Sequence, residues 1–135
     1  MSTPLRDMLA STKGLLGTLG VEIAEFGPDG CVLTMEVTPA LLQPMGILHG
    51  GVHCALVESA ASIAGAAWLD GRGHVVGCAN HTDFLRPVSA GRLTARASAI
   101  HRGRTQQLWL VEITDEAERL IARGEVRLAN IPAGG

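Results

Sequence analysis

Residues 48–69, LHGGVHCALVESAASIAGAAWL, decide the fold. Glu58 is the only carboxylate in this 22-residue stretch, and most of its neighbours are small or apolar. A helix from about Gly50 to Trp68 that is apolar nearly all round must be enclosed by other elements. The stretch is long enough to cross a bilayer. It also contains Glu58, two histidines and three glycines, and it opens on Gly-Gly, so it reads as a core helix rather than a membrane span.

The flanking sequence supplies the enclosure. Residues 3–18 read as an N-terminal helical segment, with Leu5, Met8, Leu9, Leu15 and Leu16 near helical spacing and glycines at 17 and 20 to stop it. Val21–Phe26 and Cys31–Val37 read as a hairpin closed by the turn Gly27-Pro28-Asp29-Gly30. Residues 41–48 form a loop, and Asp70-Gly71-Arg72-Gly73 ends the long helix. The rest is β: Val75–Phe84, Arg92–His101, Gln106–Thr114 and Leu120–Leu128. In Arg92–His101, alanines and Leu93 alternate with Arg92, Thr94, Arg96 and Ser98, as on a half-buried strand. The order α-β-β-α-β-β-β-β predicts an α+β domain with an antiparallel sheet curled around one long central helix.

At 135 residues the chain is most simply one domain, 1–135, with room for a real core. Hydrophobic residues make up 47%, which excludes a disordered chain. Two Trp, two Phe and no Tyr leave that core to Leu, Val, Ile and Ala. A net charge of −2 with no basic stripe argues against nucleic acid as a partner. The first twenty residues lack the charged start and apolar run of a signal peptide. Cys31, Cys54 and Cys78 fit no metal, redox or disulfide spacing, and we expect reduced core thiols in a cytoplasmic protein.

A carboxylate inside an apolar helix is costly unless it is paired or protonated. On a helical wheel Glu58 shares a face with Gly51, Cys54, Ala55, Ala61, Ser62 and Gly65, while Val52, Leu56, Ile63 and Ala67 look toward the sheet. Two readings of the small face stand side by side. It packs against another helix with Glu58 satisfied structurally, or it leaves space for a ligand on which Glu58 acts. Upstream, Gly50 and Gly51 at the helix start expose backbone N–H groups at the positive end of the dipole, where an oxyanion can be held. Gly50 and Glu58 lie eight residues apart, about 12 Å along one helix, too far to meet one carbonyl carbon. If both act on one substrate, they come from two copies of the chain with antiparallel helices, which predicts a homodimer with composite sites.

Three motifs in this order resemble the hotdog-fold acyl-CoA thioesterase superfamily, in its phenylacetate-degradation and 4-hydroxybenzoyl-CoA thioesterase branch. They are His49-Gly50-Gly51 followed by Ala55-Leu56-Val57-Glu58-Ser59-Ala60, then Asp83-Phe84-Leu85-Arg86-Pro87, then His101-Arg102-Gly103-Arg104. The resemblance spans roughly residues 15–130 and implies acyl-CoA as substrate, a homodimer paired again into a tetramer, and no cofactor beyond the coenzyme A of the substrate. It also implies roles: Glu58 as base or nucleophile, Gly50 N–H as oxyanion donor, and Gln43 positioning substrate or water. His49 orders the loop, Ser62 holds the lytic water, and Gly51, Arg102, Gly103 and Arg104 contact substrate or coenzyme A phosphates.

Bland readings compete for the remaining residues. His53 reads as a core or interface histidine, and His81 with Asp83 reads as a solvated strand face. Arg102 and Arg104, without the resemblance, read as a solvated hairpin end, and Arg86 as a loop tie. No spacing of His49, His53 and Asp83 indicates a metal. A hydratase or dehydratase on the same fold and a non-catalytic acyl-CoA-binding module are the rival functions.

Overall fold

The computed structural model describes residues 1–134. Helix α1 (Thr3–Leu9) and helix α2 (Leu15–Leu19) precede strands β1 (Glu22–Gly27) and β2 (Gly30–Val37). Helix α3 (Gly50–Leu69) follows, then β3 (Gly73–Phe84), β4 (Gly91–Arg102), β5 (Gln106–Thr114) and β6 (Leu120–Pro132). The six strands form one sheet in the order β1-β2-β4-β5-β6-β3, and every neighbouring pair is antiparallel. The single predicted helix over 3–18 is two short helices, because Gly14 takes a left-handed φ of +77° between them.

Alternation along the strands decides which face meets α3. Across β2 and β4, Cys31 stands opposite Ala97, Leu33 opposite Ala95 and Met35 opposite Leu93, and all six are buried. The intervening pairs Val32–Arg96, Thr34–Thr94 and Glu36–Arg92 face outward. Against the inner face lie Leu56, Val57, Ala60 and Ala64, all essentially inaccessible, together with Trp109, Val111, Ile113, Val126 and Leu128. Close approach of helix and sheet requires glycine at two places. A Cβ on Gly124 of β6 would lie 2.6 Å from Val57 Cγ1, and one on Gly65 would lie 2.5 Å from Leu128 Cδ1. The helix is long and apolar enough to cross a membrane by composition alone, and here its apolar surface is spent on the sheet.

Two expectations change. The small face bearing Glu58 is not uniformly open. Gly51, Cys54, Ala55 and Ser62 keep some exposure, but Ala61 and Gly65 are buried because β5 and β6 close over the last turns of α3. Of the three free thiols only Cys31 lies in the core, where burial and, secondarily, the charge of Glu25 push it up to about 12. Cys54 is half-buried and Cys78 exposed.

Strand β3 is the outer strand beyond β6, largely exposed along its length, with a bulge between Gly77 and Ala79. Its far edge pairs with no other strand among the described residues.

Candidate active site

The start of α3 is built from the sequence HGG. His49 is the N-cap, and its Nδ1 accepts the Gly51 N–H at 2.8 Å. The His49 carbonyl accepts the Val52 N–H at 2.9 Å. The Gly50 N–H makes no hydrogen bond among the described residues. Of the two glycine donors, therefore, one is consumed by the cap and the other is free at the positive end of a 20-residue helix. A Cβ at residue 50 would lie 2.8 Å from Cζ of Phe84, whose exposed ring covers it from the end of β3 and would have to turn aside for any larger residue.

The loop before the helix is fixed by its own backbone. Gln43 N–H donates to Ile47 O at 2.8 Å, Gly46 N–H donates to Gln43 O at 2.9 Å, and Gly46 takes a φ of +84°. The half-buried Gln43 side chain accepts the Met45 N–H through Oε1, which leaves its amide nitrogen without an acceptor among the described residues. Leu48 N–H donates to Val88 O at 2.8 Å, tying the loop to the segment after Phe84.

Glu58 lies two turns down the helix. The sequence left open whether Glu58 packs against a second helix or faces space for a ligand; within one chain it is exposed and forms no ion pair among the described residues. The reason is that β3 passes beside it rather than over it. Gly77 at the bulge is the neighbour on β3: a Cβ there would make an ordinary contact with Glu58 Oε1 at 3.5 Å. Ser62, one turn further on, is half-buried.

Asn80 was missed by sequence reasoning. Its Nδ2 donates 3.0 Å to the carbonyl of Cys54, and its Oδ1 accepts the Thr82 hydroxyl at 2.7 Å. In an α-helix the Cys54 carbonyl is also the acceptor for the N–H of residue 58. Asn80 therefore pins β3 to the turn that carries Glu58. His81 and Asp83, of opposite strand parity, pair at 3.2 Å on the outer face, where His81 is largely exposed and Arg123 approaches Asp83 at 3.7 Å. They do not approach Glu58's face of β3.

These elements place a free backbone donor and an unpaired carboxylate on one helix, eight residues apart, facing surface that the chain's own sheet leaves uncovered. A family model described as the thioesterase superfamily matches residues 45–122, more than half of the chain and the whole of α3. The chain belongs to the thioesterase superfamily. The Mycobacterium tuberculosis protein Rv1847 is 52% identical over 118 residues, covering 85% of this chain and 84% of that protein. Its solved structure matches with a TM-score of 0.86 at 51% identity, over 88% of this chain and 97% of that one. A Listeria monocytogenes 1,4-dihydroxy-2-naphthoyl-CoA hydrolase is 40% identical over 116 residues, 86% of this chain and 94% of that protein. The solved structure of a Haemophilus influenzae thioesterase matches with a TM-score of 0.89 at 36% identity, over 100% of this chain and 94% of that one. The expected hotdog architecture and thioester hydrolase class are thus those of the chain.

At the other end of the thioesterase helix, the turn Arg102-Gly103-Arg104 is held from below. Asn130 Nδ2 donates to Gly103 O at 2.8 Å and to Arg104 O at 3.2 Å. Asn130 Oδ1 accepts from Gln107 Nε2 at 2.8 Å, and Gln107 Oε1 accepts from Trp109 Nε1 at 2.7 Å. Gln107 is fully buried, on the inward parity of β5 that it shares with Trp109, Val111 and Ile113. Arg102 is occupied: it donates to Asp29 Oδ1 at 2.8 Å and Pro28 O at 2.7 Å, locking β4 to the first hairpin. Arg104 has no ion pair among the described residues and borders a cavity of about 190 Å³ with Trp68, Arg72, Gly103 and Asn130.

Proposed function

We propose that this thioesterase hydrolyses an aryl- or medium-chain acyl-CoA at sites shared between two copies of the chain. The observation that carries this reading is the free Gly50 N–H and the unpaired Glu58 on a single helix, separated by about 12 Å along its axis. A two-fold axis that sets two α3 helices antiparallel brings Gly50 of one copy toward Glu58 of the other. The unpaired edge of β3 supports such pairing, since two copies of it can continue one sheet. The name of the Listeria relative, an aroyl-CoA hydrolase, supports the aryl class.

In this reading the thioester carbonyl oxygen accepts the Gly50 N–H, which holds the negative charge that develops when the carbonyl carbon becomes tetrahedral. Glu58 takes a proton from water as the water oxygen attacks. Collapse breaks the carbon–sulfur bond, and the proton returns to the thiolate, giving the acid and free coenzyme A. The alternative is direct attack by Glu58 to form a mixed anhydride that water then opens. A single turnover in ¹⁸O-water that leaves label in Glu58 identifies the anhydride route, opened by water at the Glu58 carbonyl carbon. Gln43, through its free amide, orients substrate or water, and Ser62 holds the water. Arg104 with Gly103 meets the coenzyme A phosphates.

Thiol release from a panel of acyl-CoAs tests the reading. Glu58→Gln is expected to lower kcat by about 100-fold or more with the fold unchanged. Retention of more than about a tenth of the activity would remove Glu58 from the mechanism.

A further inference from the structure

Strand β3 runs antiparallel to the first turns of α3 and meets them at three levels. Phe84 lies over Gly50, Asn80 reaches Cys54, and Gly77 stands beside Glu58. The middle contact is polar: Asn80 Nδ2 donates to the Cys54 carbonyl at 3.0 Å. It is the one hydrogen bond between β3 and α3 among the described residues. A carbonyl can only accept, so the Asn80 amide turns its nitrogen to the helix. The Thr82 hydroxyl donates to Asn80 Oδ1 at 2.7 Å and holds the amide that way round. Asn80 is exposed in the single chain because β3 is the outer strand, and a second copy joined along that edge lies next to it.

Cys54 also lies midway between Gly50 and Glu58, four residues from each. If two α3 helices run antiparallel with Gly50 of each copy against Glu58 of the other, the two-fold axis crosses them at residue 54. On β3 the same level is Asn80. The strand whose free edge would join the copies and the helix that carries both reacting groups are thus tied by a single hydrogen bond where the copies are centred. The tie reaches Glu58 through the backbone. Within the helix the Cys54 carbonyl accepts the N–H of residue 58, and Asn80 takes its other lone pair. Helix carbonyls on a water-facing side tilt outward and lengthen their bonds. A fixed donor in place of water sets the tilt of this peptide, and with it the turn on which the Glu58 side chain stands. Reacting groups tolerate little error: a misplacement of about 1 Å costs on the order of 100-fold in rate.

We propose that Asn80 is a positioning residue, which holds the turn carrying Glu58 at the level where its carboxylate meets a thioester bound at Gly50 of the other copy. The inference rests on the acyl-CoA thioesterase reading of the site and adds a residue to it.

The test is steady-state thiol release by the full chain, with benzoyl-CoA and octanoyl-CoA as probes. Asn80→Val removes the donor and introduces no charge beside Glu58. Its kcat is expected to fall about tenfold, with KM within about twofold of wild type and an unchanged thermal melt. Thr82→Val, which frees the Asn80 amide to turn, is expected to lose about threefold. In a Glu58→Gln background, assayed at raised enzyme concentration, Asn80→Val is expected to alter the residual rate by less than about twofold, because the place of a base is immaterial once the base is gone. A merely structural Asn80 would slow both backgrounds by the same factor, and that result would overturn the proposal. So would an Asn80→Val enzyme within about twofold of the wild-type kcat. Were Asn80→Val not to fold, the same pair of backgrounds is read with Thr82→Val. Thiol release from neither probe nor any other acyl-CoA by the wild-type chain, or undiminished activity of Glu58→Gln, would instead overturn the functional reading beneath it.

Discussion

The two ends of α3 are finished in opposite ways. At the C-terminal end the carbonyls are taken up. Asp70 N–H donates to Ala66 O, Arg72 donates to Leu69 O and Trp68 O, and Gln107 donates to Gly65 O. The Arg72 guanidinium also lies 5.0 Å from the Trp68 ring centroid, and its charge suits the negative end of the helix. At the N-terminal end the cap takes one N–H and leaves its neighbour free, under an aromatic ring and beside a cavity. One end is closed for stability, and the other is left open where chemistry is proposed.

That contrast can be broken at each end. The largest effect is expected from two inactive variants, Glu58→Gln and Gly50→Pro; proline suits the first helical position but has no N–H to donate. Each alone is expected to fall below about 1% of wild-type activity. Mixed after unfolding and refolding together, they form dimers with one intact composite site, and about a quarter of wild-type activity per chain returns. With both variants folded by thermal melting, a mixture as inactive as its parts would show that Gly50 and Glu58 do not act across copies.

At the closed end, Gln107→Leu strands Trp109 Nε1 and Asn130 Oδ1 in the interior. A loss of about 2 kcal/mol in urea unfolding is expected, with a weaker hold on the Gly103 turn and a raised KM for acyl-CoA. Stability within about 0.5 kcal/mol of wild type would show the network to be dispensable.

A pH effect belongs to the open end. His53 is neutral in the fold because burial lowers its pKa, while in the unfolded chain it titrates near 6.5. The unfolded state then binds the extra proton, so stability is fully present above 6.5 and falls as pH drops below it, by at most about 1.4 kcal/mol per pH unit. His53→Leu is expected to flatten this slope in unfolding midpoints measured between pH 7 and 5. An unchanged slope would place the proton elsewhere. The smallest effect is expected from Arg72→Met, about 0.5–1 kcal/mol of stability with catalysis unaffected.

The fold was legible because its turns are written in glycine and proline: Gly27-Pro28-Asp29-Gly30, Asp70–Gly73 and Arg102–Arg104 all end elements. The core helix was legible because so apolar a stretch must be enclosed, and its glutamate and histidines argue against a bilayer as the enclosure. What sequence could not show was the uneven cover on that helix. Gly51, Glu58 and Gly65 share one azimuth, yet the sheet closes over Gly65 and leaves the other two open. Composition marked Glu58 as unusual but counts apolar neighbours along the chain and not the strand that passes beside them. The hydrogen bonds of Asn80 and Gln107 were silent for a related reason. Their partners are 26 and 42 residues away in sequence, at Cys54 and Gly65, and no local pattern records such a pairing.

The His49 cap has one more consequence. Because Nδ1 accepts the Gly51 N–H, its lone pair is engaged, and the neutral ring carries its hydrogen on Nε2. The helix start therefore offers only hydrogens from this pair of residues: the Gly50 amide and the far side of the imidazole. A visiting group must bring a lone pair to make use of it, which admits a carbonyl or hydroxyl oxygen and turns away an ammonium, which has none.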